Sequence, residues 1–392
     1  MPSNQTVPDP LGNPAPFAEP AWYNALASPY YHNSHRRLQR AVCKYLEDNI
    51  LPNVEEWEEN GEVPLEDRRR YVQAGFAFQE MPAEYADSVG LPGGASVEEW
   101  DVFHFFVLNY EIARIRSGGV VGGLAGGSAI GIPPVIHFGT QEDASFCLGG
   151  SDLASLKTTA RKTSDGKSYI THDNCSSGVS VLVIPLDLPG ISRRKIKNSG
   201  FNAGESTWVT HDNVVVPAEN LIGDENRGLP CLMTNFNRER LIISVVTNAQ
   251  ARACLEDAWA YSLDRQTFGE PLFSHQIIRH KLATLARYIE SHWAWIEQIA
   301  YHAKATGSVG PELASRMALA KVHGGRLLEL ANREAQQIFG GAGYQRGGVG
   351  SRVEQISRDL RVHVIGGGSE EIVTDLAVRQ GMGQCRKRGA KL

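Results

Sequence analysis

The last third of the chain carries a long apolar stripe at helical spacing, and this pattern restricts the possible fold more than any other. Its residues recur alternately three and four positions apart, which is the period of one face of an α-helix. They are Ile278, Leu282, Leu285, Ile289, Trp293, Ile296 and Ala300. The stripe belongs to one of three long amphipathic segments beyond residue 228. Helices of this length bury their stripes against one another, so the pattern predicts a helical bundle.

The rest of the chain divides into two differently patterned parts. Residues 35–57 and 97–116 also have apolar positions at helical spacing, whereas residues 139–228 contain short β-branched runs between Gly, Pro, Asn and Asp. Helices, then strands, then helices indicate an α+β fold rather than βαβ alternation. The predicted divisions are an extended, proline-containing lead-in on the surface (1–28), an N-terminal helical domain (29–137), a small middle β domain (138–228), a C-terminal helical bundle (229–385) and a tail (386–392).

Composition excludes several classes of partner. The 392 residues include 39 basic and 44 acidic side chains, and the net charge of −5 leaves no excess of cations for a nucleic-acid backbone. The six cysteines form no C-x-x-C pair, which is typical of free thiols in a reducing compartment. Residues 117–136 contain no charge, but their many glycines and the Pro133, Pro134 pair predict buried, glycine-packed interior rather than a membrane span.

Common catalytic motifs are absent from the sequence. The glycines at 340–343 resemble the start of a dinucleotide-binding fingerprint, but Arg346 stands where its third glycine is needed. Neither a phosphate-binding loop nor a nucleophile elbow occurs, and the twelve histidines show no metal-ligand spacing. The sequence therefore predicts no metal site.

Several longer motifs occur in a fixed order. They are FGTQED at 138–143, GSDLASLKTTA at 150–160, VVVPAENLIGDENRG at 214–228, RQTFGEPLFSHQ at 265–276, QQIFGGAGY at 336–344 and SRDLRVHVIGGGSEEI at 357–372. Together they resemble the acyl-CoA dehydrogenase family over nearly the whole chain after residue 30. The resemblance implies an N-terminal helical domain, a small middle β-barrel and a C-terminal four-helix bundle. It also implies an FAD-dependent oxidoreductase that converts an acyl thioester to its trans-2-enoyl product.

The resemblance implies a carboxylate base, because the proton next to a thioester is weakly acidic. Many members place this glutamate in a Y-E-G-T sequence, but Gly367 occupies that position here. The isovaleryl-CoA and long-chain branches carry it on an earlier helix in an L-E-R-L context, which Glu239 matches. Glu239 is therefore the predicted base. The alternative is a solvated glutamate between Arg238 and Arg240.

The resemblance also implies which residues bind the acyl thioester substrate and which bind FAD. Phe236, Arg240 and Gly367 are expected on the substrate side, where Gly367 would widen the pocket for a bulky acyl chain and Phe236 is alternatively a core aromatic. Arg265, Phe268, Gln276, Gln337, Gly340, Gly341, Ser369, Glu370 and Glu371 are expected to contact FAD. Alternatively, Arg265 pairs with Asp264 or Glu270, and the glycines only cap a helix. Some of these contacts reach the flavin of a neighbouring subunit in family members, which implies a homodimer or homotetramer.

The middle domain departs from the family pattern in two places. The stretch that ends in T-E-P-x-x-G-S-D is shortened before Ser151, and the K-x-W-I-T strand is missing between Asn174 and Gly178. Both segments normally cover the flavin, so the chain is either a variant with a reshaped or absent flavin site or a sequence from which coding segments were dropped. Two other functions stay open: an acyl-CoA oxidase that uses oxygen, and a flavin-free relative that binds acyl thioesters or a partner subunit.

The final residues resemble a targeting signal. Ala390, Lys391 and Leu392 form a small-basic-Leu tripeptide close to the S-K-L peroxisomal address. The alternatives are an unread basic tail and a cytoplasmic or mitochondrial location. A peroxisomal address would suit fatty-acid or secondary metabolism. The electron acceptor is left open.

Overall fold

The computed structural model describes residues 9–76, 90–138, 158–173, 179–307 and 309–387. The N-terminal helices are α1 (Ala21–Asn24), α2 (Asn33–Asn49), α3 (Val54–Asn60), α4 (Leu65–Gln73), α5 (Val102–Ile112), α6 (Gly118–Val121) and α7 (Ile132–Phe138). The C-terminal helices are α8 (Gly228–Asp264), α9 (Gln276–Thr306), α10 (Pro311–Phe339), α11 (Ser351–Ile365) and α12 (Glu370–Lys387). The strands between and within these groups are β1 (Thr158–Lys162), β2 (Ser168–Asp173), β3 (Val181–Leu182), β4 (Ile191–Lys195), β5 (Thr207–Pro217), β6 (Leu221–Ile222), β7 (Gln266–Thr267) and β8 (Glu270–Pro271).

The predicted bundle is present, and the apolar stripe lies inside it. All seven stripe residues are buried on α9. One hydrophobic cluster joins α8, α9 and α10 to the N-terminal helices, so Trp293 of α9 contacts Phe106 of α5 with ring centroids 5.9 Å apart. The N-terminal domain and the bundle therefore share a core, which fixes the beginning of α8 against the N-terminal helices.

The predicted surface position of the lead-in is wrong for part of residues 1–28. Trp22 and Tyr23 lie on α1 and are buried, and the Trp22 ring stacks on Tyr31 with centroids 4.0 Å apart. The Tyr23 hydroxyl donates a hydrogen bond to Glu111, with 2.5 Å between oxygens. Two large aromatic side chains supply enough apolar area to fold the segment onto the core despite its prolines.

The charge-free stretch between 117 and 136 is helical and bent. It runs through α6, a π-helical segment (Gly122–Gly131) and α7. Gly118 and Gly119 are buried, as expected, whereas Ile130 is 43% exposed. In the described part of the chain no single helix is long and apolar enough to cross a membrane; a pair bent by 47°, Gly118–Gly127 with Ala129–Val135, passes by length and composition alone.

The described strands of the middle domain form an antiparallel sheet in the order β1-β2-β5-β4 and a separate β3-β6 pair, whereas β7 and β8 pair as a hairpin between α8 and α9. The run that contains Val181 contributes only the two residues of β3. Within the described ranges, β1 and β4 each pair on one side only. The closed barrel that the resemblance implies stays a prediction. Both shortened places, at 139–157 and 174–178, fall outside the described residues, as does the tail at 388–392.

Two buried carboxylates join the three parts of the molecule. Asp359 of α11 accepts hydrogen bonds from the backbone N–H of Gly118 (2.8 Å) and of Phe201 (2.7 Å). Glu58 of α3 accepts from the Ser117 hydroxyl at 2.7 Å and from the backbone N–H of Asn202 at 2.8 Å. Backbone N–H groups of the segment between β4 and β5 are thus satisfied by the helical domains on either side.

We expect Asp359→Asn to lower the free energy of unfolding by about 1–3 kcal/mol. Backbone N–H groups face both carboxylate oxygens, so the amide NH2 meets a donor whichever way it turns. Thermal or denaturant unfolding measures the change. Asp375→Asn is the control, because Asp375 forms an exposed ion pair with Arg379. Equal stability of the two variants would contradict a joining role for Asp359.

Candidate active site

The first third of α8 places Glu239 at the boundary between the bundle and the N-terminal domain. Glu239 is half-buried, and its Oε1 accepts a hydrogen bond from Nδ2 of Asn235, one turn earlier, at 2.7 Å. The same Asn235 nitrogen contacts the carbonyl oxygen of Ala129 in the π-helical segment at 3.1 Å. One amide therefore orients the carboxylate and fixes it relative to the N-terminal domain.

Burial changes the acidity of this carboxyl group. It raises the pKa of Glu239 to about 7, against the opposing effects of the Asn235 hydrogen bond and the Arg240 charge. A carboxylate with this pKa both accepts a proton and is partly ionised near neutral pH, as a general base requires. The alternative of a fully solvated glutamate does not fit this half-buried position.

The three residues expected on the substrate side lie close together. Nε of Arg240 donates to the carbonyl oxygen of Gly367 at 3.1 Å, and its guanidinium carbon lies 5.8 Å from the ring centroid of Phe236. Phe236 is half-buried. Gly367 has φ +66°, and an added Cβ would lie 2.9 Å from Cδ1 of Ile243. The positive φ therefore favours glycine there, and a wider pocket stays a prediction.

Six of the residues expected at FAD lie at the far end of the bundle. Arg265 follows the end of α8, Phe268 is at the tip of the β7-β8 hairpin and Gln276 begins α9. Gln337 lies in the last turn of α10, and Gly340 and Gly341 follow it. Tyr261 of α8 stacks on Phe339 of α10 with centroids 4.3 Å apart, which brings the two helix ends together.

The side chains at this far end are available to a ligand. Arg265 and Gln337 are exposed, and Phe268 is 99% exposed. In the described part of the chain, Arg265 forms no ion pair with Asp264 or Glu270. An added Cβ at Gly340 or Gly341 would meet nothing within 4 Å, so the backbone is open there. A free guanidinium beside open backbone suits the pyrophosphate of FAD.

The other three expected FAD residues lie apart from this group. Ser369, Glu370 and Glu371 lie at the start of α12, and Glu370 pairs with Arg326 of α10. Only Gly368 separates them from Gly367, which contacts Arg240 next to Glu239. From Arg326, the partner of Glu370, to Gln337 of the far-end group, α10 rises by about 17 Å at 1.5 Å per residue. The expected FAD residues thus form two groups, one near the carboxylate and one at the far end.

Some residues at the site were not found by sequence reasoning. Asn235 lies four positions before Glu239, and this helical spacing was an available signal. Lys321 of α10 is buried and donates to the carbonyl oxygens of Val364 and Gly368. No local pattern marks Lys321, because its partners are more than forty positions away in the chain.

A cluster of possible metal ligands lies elsewhere, at the start of α5. Ligand atoms of His35, Asp101 and His104 lie within 4.8 Å of one another. Asp101 caps α5 by accepting from the backbone N–H groups of Phe103 and His104, and Nζ of Lys304 is 2.7 Å from its other oxygen. The ammonium already occupies the place of a cation, so the cluster is explained as a helix cap; the expectation of no metal stays a prediction.

Known proteins match most of the chain. Residues 32–149 match the acyl-CoA dehydrogenase N-terminal domain, and residues 226–382 match the C-terminal domain. The "Acyl-CoA dehydrogenase AFT10-1" of Alternaria alternata is 40% identical, with 94% of this chain and 96% of that protein covered. The "Acyl-CoA dehydrogenase apdG" of Emericella nidulans is 36% identical, with coverages of 93% and 94%. The alignment of this chain with the Alternaria alternata protein spans 416 positions, which is more than the 392 residues of this chain. That relative therefore contains segments that are missing here.

Solved structures match the fold. The acyl-CoA dehydrogenase from Bacillus anthracis, complexed with FAD, superposes with a TM-score of 0.75 at 20% sequence identity. The superposition covers 91% of this chain and 69% of the other. FAD is the cofactor of the family. The two matched domains and the relatives that are similar over nearly their whole length establish that this chain is a member of the acyl-CoA dehydrogenase family of oxidoreductases.

Proposed function

We propose that Glu239 is the base in the α,β-dehydrogenation of an acyl thioester from fatty-acid or secondary metabolism. The observation that carries this proposal is a half-buried carboxylate held by Asn235 at 2.7 Å, with its pKa raised to about 7. Position 367, where many family members carry the base, is glycine and has no carboxylate. The two fungal relatives with the same family name support the class of reaction.

The reaction divides between the chain and its cofactor. Glu239 takes the proton from the α-carbon of the thioester, and its own carboxyl becomes neutral. FAD, when bound, supplies the acceptor for the hydride that leaves the β-carbon. Asn235 keeps the carboxylate oriented by donating to Oε1. Arg265, with the open backbone of Gly340 and Gly341, would hold the pyrophosphate.

A spectroscopic experiment tests this function. The purified protein, loaded with FAD, is mixed anaerobically with butyryl-CoA, isovaleryl-CoA and palmitoyl-CoA in separate samples. We expect at least one of them to bleach the flavin absorption in the visible range. If none of a wider set of straight and branched acyl-CoA thioesters bleaches a fully loaded protein, the proposed function is wrong.

We expect the rate of flavin reduction to rise with pH and to level off above about pH 7. The sign follows from the raised pKa of Glu239, because below about pH 7 the carboxyl is protonated and cannot accept the substrate proton. Stopped-flow rates between pH 5.5 and 8.5 measure the profile. A rate that falls over this range would exclude Glu239 as the base.

We also propose that the active enzyme is a homo-oligomer in which the far end of one bundle completes the FAD site of another. The exposure of the far end supports this, because a site shared with a second chain leaves part of its surface uncovered in the single chain. Apolar side chains near the far end are strongly exposed in the single chain. They are Phe268, Ile277, Tyr344 and Val349, each more than 60% exposed.

We expect Phe268→Asp to shift the protein to a smaller assembly and to lower its FAD content. A charge at the tip of the β7-β8 hairpin would be costly to bury against a second chain. Sedimentation velocity measures the assembly, and the ratio of visible to ultraviolet absorbance measures the FAD. Leu65→Asp is the control, since Leu65 is 61% exposed on α4. An unchanged assembly in Phe268→Asp would argue against this interface.

A further inference from the structure

The turn between α11 and α12 consists of three consecutive glycines and Ser369, and it lies against α8. Gly367 has φ +66° and Gly368 has φ +107°, conformations that L side chains rarely adopt. An added Cβ at Gly368 would lie 2.5 Å from Val373 of α12. Three glycines in a row lose much conformational entropy when they are fixed in one conformation, so other contacts must hold the turn.

Two buried cations supply these contacts. Nζ of Lys321 on α10 donates to the carbonyl oxygens of Val364 (2.5 Å) and Gly368 (2.7 Å). Nε of Arg240 on α8 donates to the carbonyl oxygen of Gly367, which lies between them in the chain, at 3.1 Å. The side chains of both cations are almost completely buried. The turn is therefore held against two helices of the bundle through the carbonyl groups of Gly367 and Gly368 and through that of Val364 in the last turn of α11.

The hydrogen-bond partners of Lys321 are unusual for a buried ammonium group. Within the described ranges its hydrogen bonds go to backbone carbonyls and none goes to a carboxylate. Burying a cation without a paired anion costs free energy, and a methionine of similar length would fill the same space without that cost. Stability alone therefore gives little reason for a lysine here, whereas holding two carbonyls requires a donor.

The position of the turn connects Lys321 to the site. Arg240 follows Glu239 directly, and the three glycines lead directly into residues 369–371 at the start of α12. We propose that Lys321 is a positioning residue: by holding the carbonyls of Val364 and Gly368, it aligns residues 369–371 for FAD beside Glu239. This inference rests on the proposed function, because residues 369–371 are assigned to FAD by family resemblance.

The charged state of Lys321 is part of the argument. Groups that face it are Arg240 of α8, His363 of α11 and Glu370 of α12. Burial and the Arg240 charge lower the pKa of Lys321 to about 8, with Glu370 acting in the opposite direction. Charge-assisted hydrogen bonds are roughly twice as strong as neutral ones. The hydrogen bonds from Lys321 to the carbonyl oxygens of Val364 and Gly368 should therefore weaken as pH rises through about 8.

Amide hydrogen exchange and FAD binding test the role of Lys321 without using enzyme activity. The amides that report on the turn are those of Gly366 and Val373, which donate to Val362 (2.7 Å) and Ser369 (2.9 Å). We compare the full-length protein with Lys321→Met and Lys321→Arg. Lys304→Met is the control, because Lys304 pairs with Asp101, away from the turn. Protection factors corrected for the intrinsic exchange rate are measured at pH 7 and pH 9.

In Lys321→Met we expect about tenfold lower protection of both amides at pH 7 and about tenfold weaker FAD binding, as the lost charge-assisted contacts suggest. Wild type should lose protection between pH 7 and pH 9, and Lys321→Arg should not, because arginine stays charged. Lys304→Met should behave like wild type. If Lys321→Met fails to fold, the contrast between wild type and Lys321→Arg across pH decides.

Two results would overturn the proposal. One is wild-type protection and FAD affinity in Lys321→Met; the other is the same loss of protection at pH 9 in wild type and Lys321→Arg. Failure of the proposed function gives a different result, since no acyl-CoA would then bleach the wild-type flavin while the exchange and FAD measurements still distinguish the lysine variants.

Discussion

Replacing Glu239 with glutamine should slow flavin reduction by acyl-CoA by about 10²–10⁴-fold, the usual contribution of a positioned general base. Glutamine has the same shape, so the hydrogen bond from Asn235 can be kept, but an amide cannot take the substrate proton. FAD content should stay unchanged because neither group of expected FAD residues includes Glu239. Stopped-flow absorbance with the best acyl-CoA substrate measures the rate.

A matched control separates this effect from a general loss of charge. Glu329 lies on α10 and pairs with Arg361, so Glu329→Gln also removes one carboxylate from the bundle. It should reduce the flavin at the wild-type rate. Substantial bleaching by Glu239→Gln at that same rate would assign the proton transfer to another group and would remove the main support for the proposed function.

Replacing Arg252 with alanine should lower the free energy of unfolding by about 3 kcal/mol, because it removes a large buried side chain, its hydrogen bonds to backbone carbonyls and its ion pair with half-buried Glu290. Arg252 is buried on α8, and its Nη1 donates to the carbonyl oxygens of Phe17 (3.1 Å) and Glu19 (2.9 Å) and to Glu290 (2.5 Å). Its loss leaves all three acceptors without this donor. Urea unfolding, followed by tryptophan fluorescence, measures the change.

The same substitution should release the N-terminal segment from the bundle. Arg252 is one of the groups that hold residues 17–19 to α8 and α9, so limited proteolysis should cut this segment faster in Arg252→Ala than in wild type. Arg287→Ala is the control, since Arg287 is exposed on α9 and contacts Tyr288. A loss of less than about 1 kcal/mol in Arg252→Ala would show that the buried contacts rearrange freely.

Much of the fold follows from local patterns. The stripe that includes Ile278 and Trp293 repeats every three to four residues, and this period alone places these side chains on one buried face of α9. The lead-in was less predictable. Its prolines suggest an extended segment, but Trp22 and Tyr23 are buried by residues distant in the chain, such as Tyr31 and Glu111.

The candidate site shows the same division. The context of Glu239 marked it as the expected base, and its spacing from Asn235 on one helix face was also readable from the sequence. Its burial, and therefore its raised pKa, depends on packing between α8 and the N-terminal domain. The sequence likewise suggested which residues contact FAD, but only their positions along α8 and α10 show that they form two separate groups.

By itself, the sequence determined the α+β order, the helical bundle and the family, because periodic spacing and ordered motifs are properties of the chain alone. Tertiary structure decided how Asp359 joins the three parts of the molecule, why the backbone at Gly367 favours glycine, and how Lys321 and Arg240 hold the turn between α11 and α12. The physical reason is that a hydrogen bond between residues 43 to 241 positions apart depends on how helices pack, and no local pattern records that packing.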